Sequence, residues 1–314
     1  MYKTDQAQRD HGGNLDAAIA RYGGARADWL DLSTGINPVP YPVPEVASDA
    51  WACLPDRAAL EGLTAAARDF WRVPEGFSVL AAPGASALIA QIPRLAAPGR
   101  VAIPGPTYNE HSASFSAAGW TVAADASDAK VMVHPNNPDG RVWSKADLAA
   151  GLNVVDESFC DVMPDASFVP KSLEDRTIIL KSFGKFWGLA GLRLGFAIGP
   201  QAQLAELGAM LGPWAVSGPA LQVGTAALRD VAWARDTRAR LARDAARLDQ
   251  VMTRKGAAVV GGTTLFRLYR VTDAQQMQDR LAQARVWSRV FPYDGEWLRL
   301  GLPPETGWDR IAGA

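Results

Sequence analysis

An α/β fold, a large domain with a mainly parallel sheet plus a small C-terminal α/β domain, is predicted by three observations. Short apolar strands alternate with helical segments between residues 78 and 198, long helices take over from about Pro200, and the first 50 residues follow neither pattern. That arm carries Gly12-Gly13, Gly23-Gly24 and then Pro38, Pro40, Pro42 and Pro44, a density that argues against regular helix or central strand. From Ala58 to Trp71 apolar residues recur at helical spacing, and Val73-Pro74-Glu75-Gly76 stops the run. Ser78 to Ala81 then reads as a strand before a helix from Ala85, Val101 to Ile103 as a strand before a helix after Tyr108, and Val131 to His134 as a strand before a helix from Lys145 to Ala150. Val154-Val155, Thr177 to Leu180 and Leu194 to Ile198 are further strands. The helical run from Ala220 to Arg254 precedes strands at Leu265 to Tyr269 and Trp297 to Leu300. The expected division is an arm over 1–50 that joins the small domain and the site, a large domain over 51–205 and a small domain over 206–314. Loops at the carboxyl ends of the parallel strands are where a site is expected.

Of 314 residues, 48% are hydrophobic and 21% charged, and Lys plus Arg number 32 against 33 Asp plus Glu. A formal charge of −1 gives no basic surplus for nucleic acid or anionic lipid. Apolar runs are cut by Pro or Gly well short of the ~20 residues a membrane span needs, and Met1-Tyr2-Lys3-Thr4-Asp5 opens a polar segment, so a cytoplasmic protein is expected. Cys53 and Cys160 stand far apart with no partner at ligand spacing; two buried thiols, no disulfide and no metal are expected.

The stretch from Leu180 to Gly195 carries the most chemistry. A strand ends, Ser182 and two lysines follow, glycines permit close backbone approach, and Arg193 stands eight residues after Lys185. Each part taken singly fits a surface loop. Upstream, Val154-Val155-Asp156 is a strand ending in a carboxylate that would also serve as a helix cap, and His134-Pro135-Asn136-Asn137-Pro138-Asp139-Gly140 also fits a plain turn. Pro83-Gly84-Ala85-Ser86 joins a strand to a helix, which turns backbone amides toward an anion or simply turns the chain. Arg299, in the apolar strand Glu296-Trp297-Leu298-Arg299-Leu300-Gly301, is a charge that burial would make costly without a partner.

In their order along the chain these segments resemble the class I/II aminotransferases, pyridoxal-phosphate enzymes of fold type I. The resemblance implies pyridoxal 5'-phosphate as cofactor, with Lys185 as the amine that joins its aldehyde and Asp156 under the ring nitrogen. It gives Asn137 to the ring oxygen and Tyr108 to the ring face. Ser182, Arg193, Gly84, Ala85 and Ser86 fall to the cofactor phosphate, and Arg299 to the substrate carboxylate. Two departures stand out. Phe159 replaces a frequent tyrosine, and Leu54-Pro55 stands where Tyr-Pro is common.

The opening segments Asp10-His11-Gly12-Gly13-Asn14 and Asp31-Leu32-Ser33-Thr34-Gly35-Ile36-Asn37-Pro38 are similar to a cobalamin-pathway branch of the family that decarboxylates a phosphorylated amino acid. That similarity implies a phosphorylated small-molecule substrate, held by His11 and Gly12 at its phosphate and by Asn37 with Arg299 at its carboxylate. A lone His on an arm is otherwise usually just solvated. A homodimer is implied, with no nucleic-acid or membrane partner. Transamination of histidinol phosphate or of another amino acid is the alternative, because both reactions use the same lysine and cofactor and differ in which Cα bond stands perpendicular to the ring. A catalytically inert cofactor-binding regulator is the alternative of another class.

Overall fold

The computed structural model describes residues 11–126 and 128–314; the polar start and the Asp10 of the arm motif lie outside the described residues. Helix α1 (Leu15–Tyr22) forms between the two glycine pairs, where Asn14 accepts from the Ala17 amide and Gly23, at φ 76°, ends it. The arm therefore does contain regular helix, a correction to the sequence expectation: the glycines bound a stretch that is itself free of helix breakers. Strand β1 (Leu30–Asp31) follows, then the short α2 (Ser48–Ala52) and α3 (Arg57–Trp71).

The large sheet is laid down by β2 (Phe77–Ala82), β3 (Arg100–Ala102), β4 (Thr121–Val122), β5 (Ala129–Val133), β6 (Leu152–Asp156), β7 (Thr177–Ser182) and β8 (Gly195–Pro200). Helices α4 (Ala85–Gln91), α5 (Asn109–Ala117) and α6 (Val169–Ser172) lie between them. Strand order is β2-β8-β7-β6-β5-β3-β4, with β8 antiparallel to both neighbours and the remaining pairs parallel. The central strands read as continuous apolar runs because both faces are covered, and β6 and β7 are almost wholly buried. No α-helix forms over Lys145 to Ala150. A single 3-10 turn, Lys145–Asp147, is closed by the reciprocal Ser144 and Asp147 bonds, since a segment this short cannot offset the cost of helix nucleation.

After the sheet come α7 (Gln201–Leu211), α8 (Gly218–Arg229) and α9 (Val231–Arg254). The single helical run expected from Ala220 is split at Asp230, whose backbone leaves helical geometry and whose side chain caps α9 by accepting from the Trp233 amide. Helix α7 packs on β2 and β8, and α8 on α3. Gly224 makes the second contact close: a Cβ there would come within 2.9 Å of Leu63 and 2.5 Å of Leu194. Leu63 is fully buried, and truncating it to alanine would cost about 2–5 kcal/mol.

The small domain holds β9 (Ala258–Gly262), β10 (Phe266–Arg270), α10 (Ala274–Gln283), β11 (Val286–Trp287), β12 (Arg289–Phe291), β13 (Asp294–Gly301) and α11 (Trp308–Gly313). Its antiparallel sheet runs β12-β13-β10-β9, and β11 pairs in parallel with β1, which attaches the arm. Cys160 is buried but Cys53 is exposed, against the expectation of two buried thiols: it caps the end of the exposed α2 instead of facing the core. Among the described residues no helix is long and apolar enough to cross a membrane.

Candidate active site

A cavity of about 490 Å³ opens between the strand ends of the large sheet and the edge of the small domain. Its floor and walls include Gly84, Ala85 and Ser86 after β2, Asn137 after β5, Asp156 at the end of β6, Ser182 at the end of β7, Lys185 after it, and Arg193 before β8. Tyr108, His11, Gly12 and Arg299 complete the wall, so all the sequence-expected site residues but Asn37 line one cavity.

Asp156 is 3% exposed. Its Oδ2 lies 2.8 Å from His111 Nε2, while Oδ1 accepts from the Ser158 amide at 2.9 Å and the Ser158 hydroxyl at 2.5 Å. Burial by itself would raise this carboxyl, but the bonds from His111 and Ser158 and the charge of His111 prevail and hold it below the usual range. A carboxylate that stays ionised while buried can keep a proton on a basic ring nitrogen. Neither His111 nor Ser158 was expected from sequence. His111 follows Tyr108 by three positions on one turn of α5, and that spacing is the signal that would have exposed it.

The two lysines at the end of β7 and just beyond it have opposite surroundings. Lys181 is 1% exposed and lies 2.5 Å from Glu157 and 3.4 Å from Asp161, behind the sheet; these two carboxylates outweigh its burial and raise its pKa. Alternation sends Asp156 and Ser182 to the cavity and their neighbours Glu157 and Lys181 to the far side. Lys185 faces the cavity, its ammonium 5.3 Å from the centre of the Phe159 ring. Burial first, then the charges of Arg299 and Arg193, lower Lys185 to about 8 against the pull of Asp156. The loop carrying it is fixed by an aromatic stack: Phe183 on Trp187 at 5.1 Å and Trp187 on Trp233 at 5.3 Å, with Phe186 edge-on to Trp187 at 5.2 Å. Each such pair adds roughly 0.5–1.5 kcal/mol beyond its burial.

The lowered pKa has a consequence in solution. At pH 8 about half of the Lys185 amines are uncharged, against under ~1% for an ordinary lysine, so the cofactor-free protein should capture an aldehyde faster as pH rises and level off just above 8. Stopped-flow absorbance across roughly pH 6 to 10 reads this, and a rate still climbing near the ordinary lysine pKa contradicts it.

One end of the cavity suits a phosphate. Arg193, in left-handed backbone geometry at φ 52°, donates to the Ala190 carbonyl at 3.1 Å, and its Nη2 lies so near Gly84 that a Cβ there would stand 2.6 Å away. Ser182 and Ser86 flank it. At the other end Arg299, 5% exposed, donates to the Asn137 side-chain oxygen and, at 2.7 Å, to the Ser33 carbonyl. With Asn137 Oδ1 so engaged, the amide NH2 is the end turned to a ligand. His11, beside Tyr108 at a ring distance of 6.1 Å, pairs with Glu110 at 2.8 Å at the mouth. Arg289, Phe291 and Tyr293 also line this end and were not expected from sequence.

Asn37 stands outside the cavity, a correction to its expected place at the substrate carboxylate. Its Nδ2 donates to the Phe186 carbonyl at 2.8 Å, its Oδ1 accepts from Arg240 at 2.7 Å and from the Val39 amide, and its own amide donates to the Lys185 carbonyl at 3.0 Å. Its donors are spent on the Lys185 loop and its side-chain oxygen on Arg240 and Val39. A buried trio behind the sheet, His134, Glu157 and Cys160, is likewise spent: His134 Nε2 on the Ala166 carbonyl and Glu157 on Lys181, Ser167 and the Phe168 amide.

An anion cradle, a carboxylate, a partly neutral amine and an amide donor around one cavity fit a phosphorylated pyridine aldehyde. Comparison with known proteins points the same way. The family described as aminotransferase class I and II matches residues 28–313. A threonine-phosphate decarboxylase of Sinorhizobium is 43% identical over 96% of this chain and 95% of its own, and one of Pseudomonas aeruginosa is 39% identical over 97% and 96%. Among solved structures, histidinol-phosphate aminotransferase from Sinorhizobium meliloti in complex with pyridoxal-5'-phosphate superposes with a TM-score of 0.83 at 18% identity, covering 95% of this chain and 92% of that one.

Proposed function

From the premise that this chain belongs to the class I and II aminotransferase family, we propose that it is a pyridoxal-phosphate-dependent decarboxylase. The proposed substrate is L-threonine O-3-phosphate, giving CO2 and 1-amino-2-propanol phosphate for the cobalamin side arm. The observation that carries the reading is that one cavity brings Arg299 together with the arm residues His11 and Gly12 as anchors for an anionic substrate. The near full-length likeness to threonine-phosphate decarboxylases supports it.

When bound, pyridoxal 5'-phosphate supplies an aldehyde for the substrate amine and a ring that accepts the electron pair left at Cα. Gly84, Ala85, Ser86, Ser182 and Arg193 would hold its phosphate, Asp156 would hold a proton at the ring nitrogen, Asn137 would donate to the ring oxygen and Tyr108 would cover the ring. Arg299, a planar two-toothed donor, takes the carboxylate, and the arm takes the substrate phosphate. Anchoring both ends would restrict rotation about the Cα bonds and so select the bond to the carboxylate for cleavage. Loss of CO2 leaves Cα one proton short. Lys185, with a pKa near 8, is the cavity group suited to deliver it.

The test supplies phosphothreonine alone and, separately, histidinol phosphate with 2-oxoglutarate, and measures CO2 and glutamate. CO2 from the first and no glutamate from the second is expected; glutamate without CO2 selects the aminotransferase. His11→Ala should raise KM for phosphothreonine about tenfold or more while cofactor affinity stays put. A homodimer is part of the same reading, with Trp51 and Leu54, 72% and 63% exposed, as apolar surface for a second copy. Sedimentation at the mass of one active chain would count against it.

A further inference from the structure

Residues 31–37 touch three parts of the cavity wall at once. Asn37 holds the Lys185 loop, Gly301 at the end of β13 donates to the Leu32 carbonyl at 2.7 Å, and the arm lies across Ser33. Ser33 is the centre of this segment and is 1% exposed. Its hydroxyl donates to Asp31 Oδ1 at 2.6 Å and accepts the Gly13 amide at 2.7 Å. Its carbonyl accepts from Arg299 Nη2 at 2.7 Å. Gly12 presses on the same carbonyl: a Cβ there would be 2.3 Å from the Ser33 oxygen and 3.6 Å from Arg299 Nη2.

The local turn does not need the hydroxyl. Asp31 Oδ1 already closes it by accepting the Ser33 amide at 3.0 Å, so the hydroxyl's distinct work is to receive the arm. Its donated bond to Asp31 turns its lone pairs toward Gly13, which makes a directed acceptor of a group that would otherwise rotate. We propose that Ser33 is a positioning residue that fixes the spacing of the two substrate anchors, binding the His11 arm through its side chain and Arg299 through its backbone. The proposal rests on the reading of His11 and Arg299 as the anchors of one substrate.

The test compares the cofactor-loaded wild type with Ser33→Ala and Ser33→Thr. Without substrate, hydrogen exchange over residues 11–22 should rise about tenfold in Ser33→Ala, the worth of one buried bond, and return toward wild type in Ser33→Thr. With L-threonine O-3-phosphate, KM should rise about tenfold in Ser33→Ala while kcat moves less than about threefold, with cofactor affinity unchanged. Ser33→Cys, which keeps the size of the side chain but makes a weaker acceptor for the Gly13 amide, should give a smaller split of the same kind should Ser33→Ala fail to fold. Unchanged arm exchange, or an unchanged KM after the arm is released, or a fall in cofactor affinity alongside kcat, overturns the proposal. A wild type that ignores phosphothreonine defeats the decarboxylase reading by itself, and the exchange comparison still decides whether Ser33 ties the arm.

Discussion

Lys185→Ala should abolish turnover, by at least about 10⁴-fold or ~5.5 kcal/mol of barrier, in a protein that still folds. The residue faces a cavity and makes no ion pair among the described residues, so its removal leaves no buried partner charge behind. Lys181→Ala is the contrasting control. It strips Glu157 and Asp161 of their cation inside the protein and should cost about 3–5 kcal/mol of stability. Thermal melts and turnover measured side by side separate the two lysines. A Lys185→Ala protein with wild-type turnover would remove the assignment.

The second large effect is expected at Asp156. Asp156→Asn keeps the size and much of the hydrogen bonding to Ser158 and His111 but not the charge, so the ring nitrogen would lose the group that keeps it protonated. A fall in kcat of about three powers of ten, ~4 kcal/mol, should accompany a KM that changes little. A loss below about tenfold would place the working carboxylate elsewhere. The same bonds have a stability signature: with its folded pKa depressed, Asp156 adds stability above the ordinary carboxyl pKa, and that share is lost as pH falls through the lower, folded value.

Much of this site was legible because its residues occur at strand ends, where a short apolar run followed by a chemically active side chain marks the place. Asp156, Ser182, Lys185 and the turn around Asn137 are of this kind. What could not be read is what depends on long-range closure. Asp31 and Ser33 look like an ordinary turn until Gly13 and Arg299 arrive from residues 20 and 266 positions away. Arg289 and Tyr293 belong to β12 and the turn after it, where nothing in the local pattern distinguishes a cavity-facing arginine from a solvated one. Asn37 was misplaced for the converse reason: its side-chain amide suits a carboxylate, yet Phe186 and Arg240 engage it first. In the fold, α1 and the break at Asp230 were missed because single capping side chains, Asn14 and Asp230, decide them.

The alternation along β6 and β7 also limits how this chain can change over evolutionary time. Asp156 and Glu157 are neighbours serving opposite sides of one sheet, as are Lys181 and Ser182. A deletion or insertion of one residue inside either strand would exchange the two sides together, carrying Asp156 away from the cavity and parting Glu157 from Lys181. Length variation among descendants of this sequence should therefore collect in the connections, such as the stretch between Gly140 and Leu152 with its one short turn, and leave these two strands uninterrupted.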